Sequence, residues 1–242
     1  MTAMVATLFG CVRGSVIIAG CALVVASVLL SGCTRSIIGT PQPGAGRPDP
    51  IPVAGLLIEP ERFPERYPAV VLDETAVSRA LQDIDGVGAA STVTPPECAP
   101  PPLESRQTAA AAGIDSDTAS SLVVAVTLRS PPLDGRAEQL TACPSFTVVC
   151  GADESAVTVT VMPAPPVNAD GSYAVDQTVM IQSSGVTRRT RTLAAQVGDV
   201  RISATWLHQG TPESSTDIAP DTQALDLLFT DAVLKVRRAG GP

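Results

Sequence analysis

Between Val157 and Trp206 the chain alternates apolar and polar residues in four consecutive segments separated by turn-forming residues. No other feature constrains the fold as tightly. Val157, Val159 and Val161 alternate with Thr158 and Thr160, and Asn168-Ala169-Asp170-Gly171 turns the chain into Ala174–Gln182, with Val175, Val179 and Ile181 inward. Ser184-Gly185 leads into Thr187–Val197. Gly198-Asp199 is a two-residue hairpin loop of the Gly-first kind before Val200, Ile202, Ala204 and Trp206. A period of two broken by short turns predicts four strands in an up-and-down meander. Upstream, Leu122–Leu128 is apolar on both faces, as a central strand should be, and Phe146–Cys150 reads as a further strand. The expectation is an antiparallel sheet of about six strands.

Helical periodicity lies on either side of these segments. Asp73 is a good N-cap for a helix to about Asp83, with Val77, Ala80, Leu81 and Ile84 at helical spacing and Gly86 as terminator. Short helices are expected at Leu103–Ala112 and Gly135–Ala142, and Leu56–Pro68 reads as a proline-broken loop with helical turns. From about Pro220 to Arg238, Leu225, Leu228, Phe229, Ala232, Val233 and Val236 form one stripe. Acids early and Lys235, Arg237 and Arg238 late suit the helix dipole. The predicted class is α+β: an antiparallel sheet with helices packed on it, the long C-terminal helix included.

The first residues point to a location. Gly14–Gly32 is apolar and uncharged, long enough to span a bilayer by length alone. Its edge, Leu30-Ser31-Gly32-Cys33, resembles the bacterial lipobox, in which a leucine and two small residues precede an invariant cysteine. That resemblance implies diacylglycerol on the Cys33 thiol and cleavage just before it. Residues 1–32 are thus read as a lipoprotein signal peptide, 33–55 as the lipidated cysteine and a Pro/Gly-rich tether, and 56–242 as a single extracytoplasmic domain. The expected location is the outer face of the cell membrane, held by acyl chains on Cys33. Met1–Val12 lacks the positive charge of a signal's opening, so the translation start is expected at Val12 or Met4.

Removing residues 1–32, which contain one arginine and no acid, takes the formal charge from −8 to −9. This argues against a nucleic-acid partner and against a polybasic grip on anionic lipid. One lysine beside 15 arginines, with abundant alanine, valine and proline, points to a high-GC actinobacterial genome. Cys98, Cys143 and Cys150 remain in an oxidising space. Cys98 lies in a proline-rigid loop and Cys143 ends a helix, so these two are expected to pair, with Cys150 a buried free thiol. A Cys143–Cys150 bridge would need the intervening strand to fold back, because bridged Cα atoms lie within roughly 7 Å.

Catalytic signatures are missing from the sequence. His208 is the only histidine, expected as an exposed residue at a strand end, and there is no GxSxG, HExxH, phosphate-loop or dinucleotide pattern. No cofactor or metal is expected. Asp83-Ile84-Asp85-Gly86 echoes the start of a calcium loop but lacks the later glutamate, and reads as a helix end. Thr187-Arg188-Arg189-Thr190-Arg191 is the one basic cluster, with Arg189 and Arg191 on one face and Arg188 on the other. It reads either as a charged strand guarding a sheet edge, or as a groove for a phosphate- or carboxylate-bearing envelope glycan or lipid.

The loop Pro95-Pro96-Glu97-Cys98-Ala99-Pro100, the stretch Ala142-Cys143-Pro144-Ser145-Phe146-Thr147 and the turn Gly198-Asp199-Val200-Arg201 resemble a group of uncharacterised actinobacterial, mainly mycobacterial, lipoproteins. Those proteins look distantly similar to the extracellular sensor domain of a mycobacterial receptor kinase. The resemblance implies a non-enzymatic, sensor-like envelope domain that binds a lipid, glycan or protein ligand. Other readings are a scaffold docking another envelope protein through a sheet edge, and an envelope hydrolase.

Overall fold

The computed structural model describes residues 52–102, 105–128, 132–211 and 218–240; the expected signal peptide, Cys33 and most of the expected tether lie outside them. The described residues open with a one-turn helix α1 (Val53–Leu56), three residues earlier than the expected domain start, and a 3-10 turn at Pro60–Arg62. It continues through β1 (Ala69–Val71), α2 (Glu74–Asp85), β2 (Thr92–Thr94), β3 (Thr108–Asp115) and β4 (Ser120–Thr127). Then come α3 (Leu133–Ala142), β5 (Ser145–Cys150), β6 (Asp153–Met162), β7 (Gly171–Ile181), β8 (Thr187–Val197), β9 (Val200–Gly210) and α4 (Thr222–Gly240). Among the described residues no helix is long and apolar enough to cross a membrane.

The nine strands of the described residues form one antiparallel sheet in the order β1-β3-β4-β9-β8-β7-β6-β5-β2. The meander of β6 to β9 matches the alternation in the sequence, and β9 closes it onto β4. The sheet has nine strands rather than about six. Two of the additional ones, β1 and β2, are three-residue strands at the two edges. The third, β3, replaces the helix expected at Leu103–Ala112. Its alanines favour a helix in isolation, but Ala109, Ala110 and Ala111 are buried, all three paired to β4 and Ala111 to β1 as well. Small side chains let other elements approach closely on both sides. A Cβ at Gly113 would lie 2.5 Å from the Tyr67 carbonyl oxygen, so only glycine admits the segment preceding β1 at that distance.

The α4 face holds the larger core. Leu225, Leu228, Phe229, Ala232, Val233 and Val236, the predicted stripe, pack on Leu122, Val124, Val126, Leu193, Ile202, Ala204 and Trp206, with Leu56, Leu57, Ile58, Phe63 and Tyr67 beside them. Burying a large apolar side chain stabilises by about 1.5–3 kcal/mol, so this helix secures the sheet. Asp221 accepts from the Ala224 N–H at 3.2 Å, and the Arg237 guanidinium donates to the Asn168 carbonyl at 3.0 Å, fixing both ends.

The opposite face carries two smaller apolar clusters with a gap between them. Val77 of α2 packs on Ala110 and Ala125, flanked by Leu72 and Leu81. Leu140 and Cys143 of α3 pack with Val93, Cys98, Phe146, Val148, Val157, Val159, Val175 and Val179. Asp73 caps α2 by accepting from the Ala76 N–H at 2.8 Å, and Gly86 ends it with φ of 70°. A Cβ at Gly86 would fall 2.7 Å from the Val179 side chain, so the α2 terminus sits directly on β7.

Candidate functional site

In the gap between those clusters, β7, β8 and β9 turn polar side chains inward. Gln177, Thr190, Thr192, Gln196 and Thr205 are all buried and share the face of α2 and α3 by strand register. Thr192 and Thr205 are directly opposed, and their hydroxyls lie 2.9 Å apart. Gln177 donates to the Ile84 carbonyl at 3.2 Å, fastening this floor to the end of α2. Burying polar groups is unfavourable unless they are hydrogen-bonded, so a polar floor under two helices calls for a reason beyond packing.

At one end of the floor lies a groove of about 420 Å3 lined by Ala99, Pro101, Pro132, Gly135, Arg136, Gln139 and Arg201. Its wall is set by the Cys98–Cys143 disulfide, with Cα atoms 5.6 Å apart, which ties the proline loop to the end of α3 as expected from the sequence. Gln139 reinforces the tie by donating to the Glu97 and Ala99 carbonyls at 2.7 and 2.8 Å. Arg136 donates to Gln139 Oε1 at 2.6 Å and reaches Asp85 Oδ1 at 3.4 Å. Arg201, at the start of β9, enters from the sheet. The first turn of α3 follows Pro132, which has no side chain able to cap it.

Charge is concentrated here. Burial pushes the Asp85 carboxyl up, against the pull of Arg136 and Arg201. Burial also raises the Tyr173 phenol, which lies near both guanidiniums. Arg201 is lowered by burial first; Tyr173 and Asp85 oppose that, and the like charge of Arg136 adds to it. Two guanidiniums and one carboxylate thus meet at this end of the floor. Such a cluster can hold an anion through charge-assisted hydrogen bonds.

The arginines singled out in the sequence are placed differently. They lie on β8, the middle strand of nine, so the edge-guard reading is corrected. Alternation does separate them, Arg188 facing α2 and Arg189 and Arg191 facing α4, and the three do not line one groove. Arg191 forms a fork with Asp176 directly opposite on β7, its Nε and Nη2 lying 2.6 and 2.5 Å from the two carboxylate oxygens. Arg188 lies 3.2 Å from Asp83 Oδ1 and donates to the Asp83 carbonyl at 3.1 Å. The Asp-Ile-Asp-Gly helix end therefore anchors arginines: Asp83 holds Arg188 and Asp85 holds Arg136.

Two further expectations are corrected. His208 is buried, 4 % exposed, because the strand runs two residues past it and its ring stacks near Trp206 with centroids 6.0 Å apart. Neither ring nitrogen has a hydrogen-bond partner, and Ser120, opposite it on β4, is engaged by Thr118 at 2.6 Å and Tyr67 at 3.3 Å. The two are not joined as a nucleophile and its base. Cys150 is disulfide-bonded rather than a free thiol, and it is only half-buried at the end of β5. Among the described residues no group of three or more His, Cys, Asp or Glu side chains could hold a metal ion.

Sequence reasoning missed Arg136 and Arg201. The signal for Arg201 was present, since Arg201, Ser203 and Thr205 alternate with Ile202, Ala204 and Trp206. Arg136 had none, because only the fold brings α3, packed over β6 and β7, to the groove that Arg201 enters from β9.

No family model matches the chain, and no curated protein matches it. Among solved structures it is distantly similar to an uncharacterised Mycobacterium smegmatis protein described as an Rv0999 ortholog. Identity is 16 %, coverage 70 % of this chain and 86 % of that one, and the TM-score 0.42. It is also similar to the extracellular domain of PknH from Mycobacterium tuberculosis, at 13 % identity, with 74 % and 98 % coverage and a TM-score of 0.37. Likeness at this level carries no conclusion about activity, which must rest on the groove.

Proposed function

We propose that this chain is a lipid-anchored cell-envelope protein whose domain binds an anionic ligand without catalysing a reaction. The observation that carries the binding reading is the approach of Arg136 and Arg201 to one groove from opposite sides, over a buried polar floor. The anchoring reading rests on Leu30-Ser31-Gly32-Cys33, and the ligand is a carboxylate- or phosphate-bearing envelope lipid or glycan. The groove at Arg136 and Arg201 replaces the one expected at Arg188, Arg189 and Arg191, which β8 divides between its two faces.

Native mass spectrometry of the full chain after incubation with envelope extract should retain an anionic molecule. Arg201→Gln should release it without moving the melting temperature. Retention unchanged in that variant would remove the groove from consideration. Cys33→Ala should leave unprocessed precursor; a variant with the wild-type mature mass and membrane fractionation would contradict the anchor.

A second reading, a scaffold for another envelope protein, draws on the β1 edge. There Val70, Val71 and Ile114 are 63, 56 and 60 % exposed beside a strand with an unpaired side. Loss of a co-purifying protein on Val70→Lys would favour it.

A further inference from the structure

The two edges of the sheet are built differently. β2 reads Thr92-Val93-Thr94, with both threonines exposed, and Pro95 and Pro96 follow it. Polar side chains and proline discourage a further strand from pairing. β1 reads Ala69-Val70-Val71, without a charge or a proline. Val70, Ile114 and Val71, at 63, 60 and 56 %, are the three most exposed large apolar side chains among the described residues. Val70 and Ile114 share one face, since Val70 lies opposite Ala112 and Ile114 is the next residue of that face along β3.

Register decides which backbone groups β1 leaves over. The Leu72 N–H donates to the Ala110 carbonyl at 2.9 Å. Bonded residues alternate along an antiparallel strand, so Leu72 and Val70 turn their N–H and C=O groups to β3. Ala69 and Val71 turn theirs outward, and among the described residues no strand takes them up. A donor and an acceptor thus stand on either side of Val70. That arrangement is self-complementary when inverted, as the interface of a two-fold dimer must be.

We propose that β1 pairs antiparallel with β1 of a second copy about a two-fold axis at Val70. This rests on the sheet-edge reading above and commits it to one partner, the chain itself. Ala69 of each copy exchanges both backbone hydrogen bonds with Val71 of the other. Val70 faces Val70 of the second copy as a non-bonded pair, the closer kind, with Ile114 flanking it in each. Such pairing continues the sheet, so α4 lies on the same side in both copies. α1 and Leu56-Leu57-Ile58 pack on that side. The chain ahead of Val53 therefore enters both copies from one side, as two molecules anchored to one membrane require. A three-residue edge covers less than the roughly 800 Å2 per partner of a stable interface. Pairing is accordingly a contact between anchored neighbours, whose shared surface raises their effective concentration.

Cysteine cross-linking of the full chain in membranes tests this. Residues opposite each other in a non-bonded pair have Cα atoms about 4.5 Å apart, within disulfide reach. Val70→Cys should therefore give a covalent dimer on treatment with diamide. In Val71→Cys the two cysteines lie on a diagonal, roughly 7–8 Å apart, and the dimer should be at least about tenfold scarcer. Val71→Pro removes an outward N–H that bonds nothing within its own copy. Added to Val70→Cys, it should abolish the dimer, with thermal melting as the check that the fold is kept. Equal yields from Val70→Cys and Val71→Cys would mean random collision and overturn the register. A dimer that survives Val71→Pro in a folded protein would overturn the backbone pairing. If Val70→Cys links the chain to a different protein instead, self-pairing is wrong and the scaffold reading of this edge stands. If it links to nothing, both fail.

Discussion

On the face covered by α4, β8 contributes Leu193 and Ala195, and β9 contributes Ile202, Ala204 and Trp206. On the opposite face the same two strands contribute Thr190, Thr192, Gln196, Arg201 and Thr205. One backbone thus presents an apolar wall to one helix and a polar floor to two others. The α4 face follows the usual rule for a sheet packed on a helix. The α2 and α3 face splits its apolar contacts into two clusters and leaves hydroxyls, amides and guanidiniums between them. Departures from consistent patterning collect where a protein does something other than fold, and the groove lies at the end of that floor.

Phe229→Ala is the strongest way to break the α4 side. Phe229 is fully buried at the centre of the stripe, and truncating such a ring costs about 3–5 kcal/mol. That is a large share of the roughly 5–15 kcal/mol that holds a domain folded. Denaturant melting should show the loss; a change within error would mean that α4 is peripheral and that the two faces do not differ in stabilising role.

Substituting the floor sharpens the contrast. Thr192→Val alone orphans the Thr205 hydroxyl and should cost about 1–3 kcal/mol, whereas Thr192→Val with Thr205→Val should be near neutral or stabilising. Recovery in the double variant would show that the fold does not need the polarity. If the double variant were as damaged as the single, the floor would be structural, and the reason for assigning it a binding role would weaken.

The smallest expected effect is a dependence on pH. Asp83 and Asp85, both on the α2 end, have carboxyls raised above 3.8 by burial. The folded state therefore binds their protons more tightly than the unfolded chain. Their contribution to stability falls as pH rises from about 3.8 through the raised values and then levels off. The urea midpoint of Asp83→Asn with Asp85→Asn, compared with that of the wild type, should gain with rising pH across this window. A gain that grows toward acid instead would show that the ion pairs with Arg188 and Arg136 outweigh burial.

Much of the sheet could be read from alternation, since Val157 to Trp206 lies on strands each covered on at least one side. What could not be read has physical causes. Ala109 to Ala112 carries a helical preference that burial on both faces overrides, and three-residue strands such as β1 and β2 have too few positions to show a period. The arginines of β8 were visible as a cluster, but Asp83 lies 105 residues from Arg188 and Asp176 lies 15 from Arg191, so their neutralisation was not. His208 reads from the sequence as the exposed end of a strand, but β9 runs on to Gly210 and the ring is covered. The groove itself is a product of the fold, in which α3 packs over β6 and β7 and brings Arg136 to the groove that Arg201 reaches from β9.

Lys235 is the sole lysine of the sequence, and it has a task that sets it apart from the fifteen arginines. From the last turns of α4 its ammonium donates to the Leu57 carbonyl and to Glu59, closing a clasp over the segment that follows α1. Tension applied to the chain ahead of Val53 would reach the body of the protein through this clasp and the buried Leu56-Leu57-Ile58 beneath it. Load would pass into α4 before it touched any strand of the meander. The one side-chain amine in the molecule is also the one bolted across that junction, so its reactivity toward amine reagents measures whether the junction is shut.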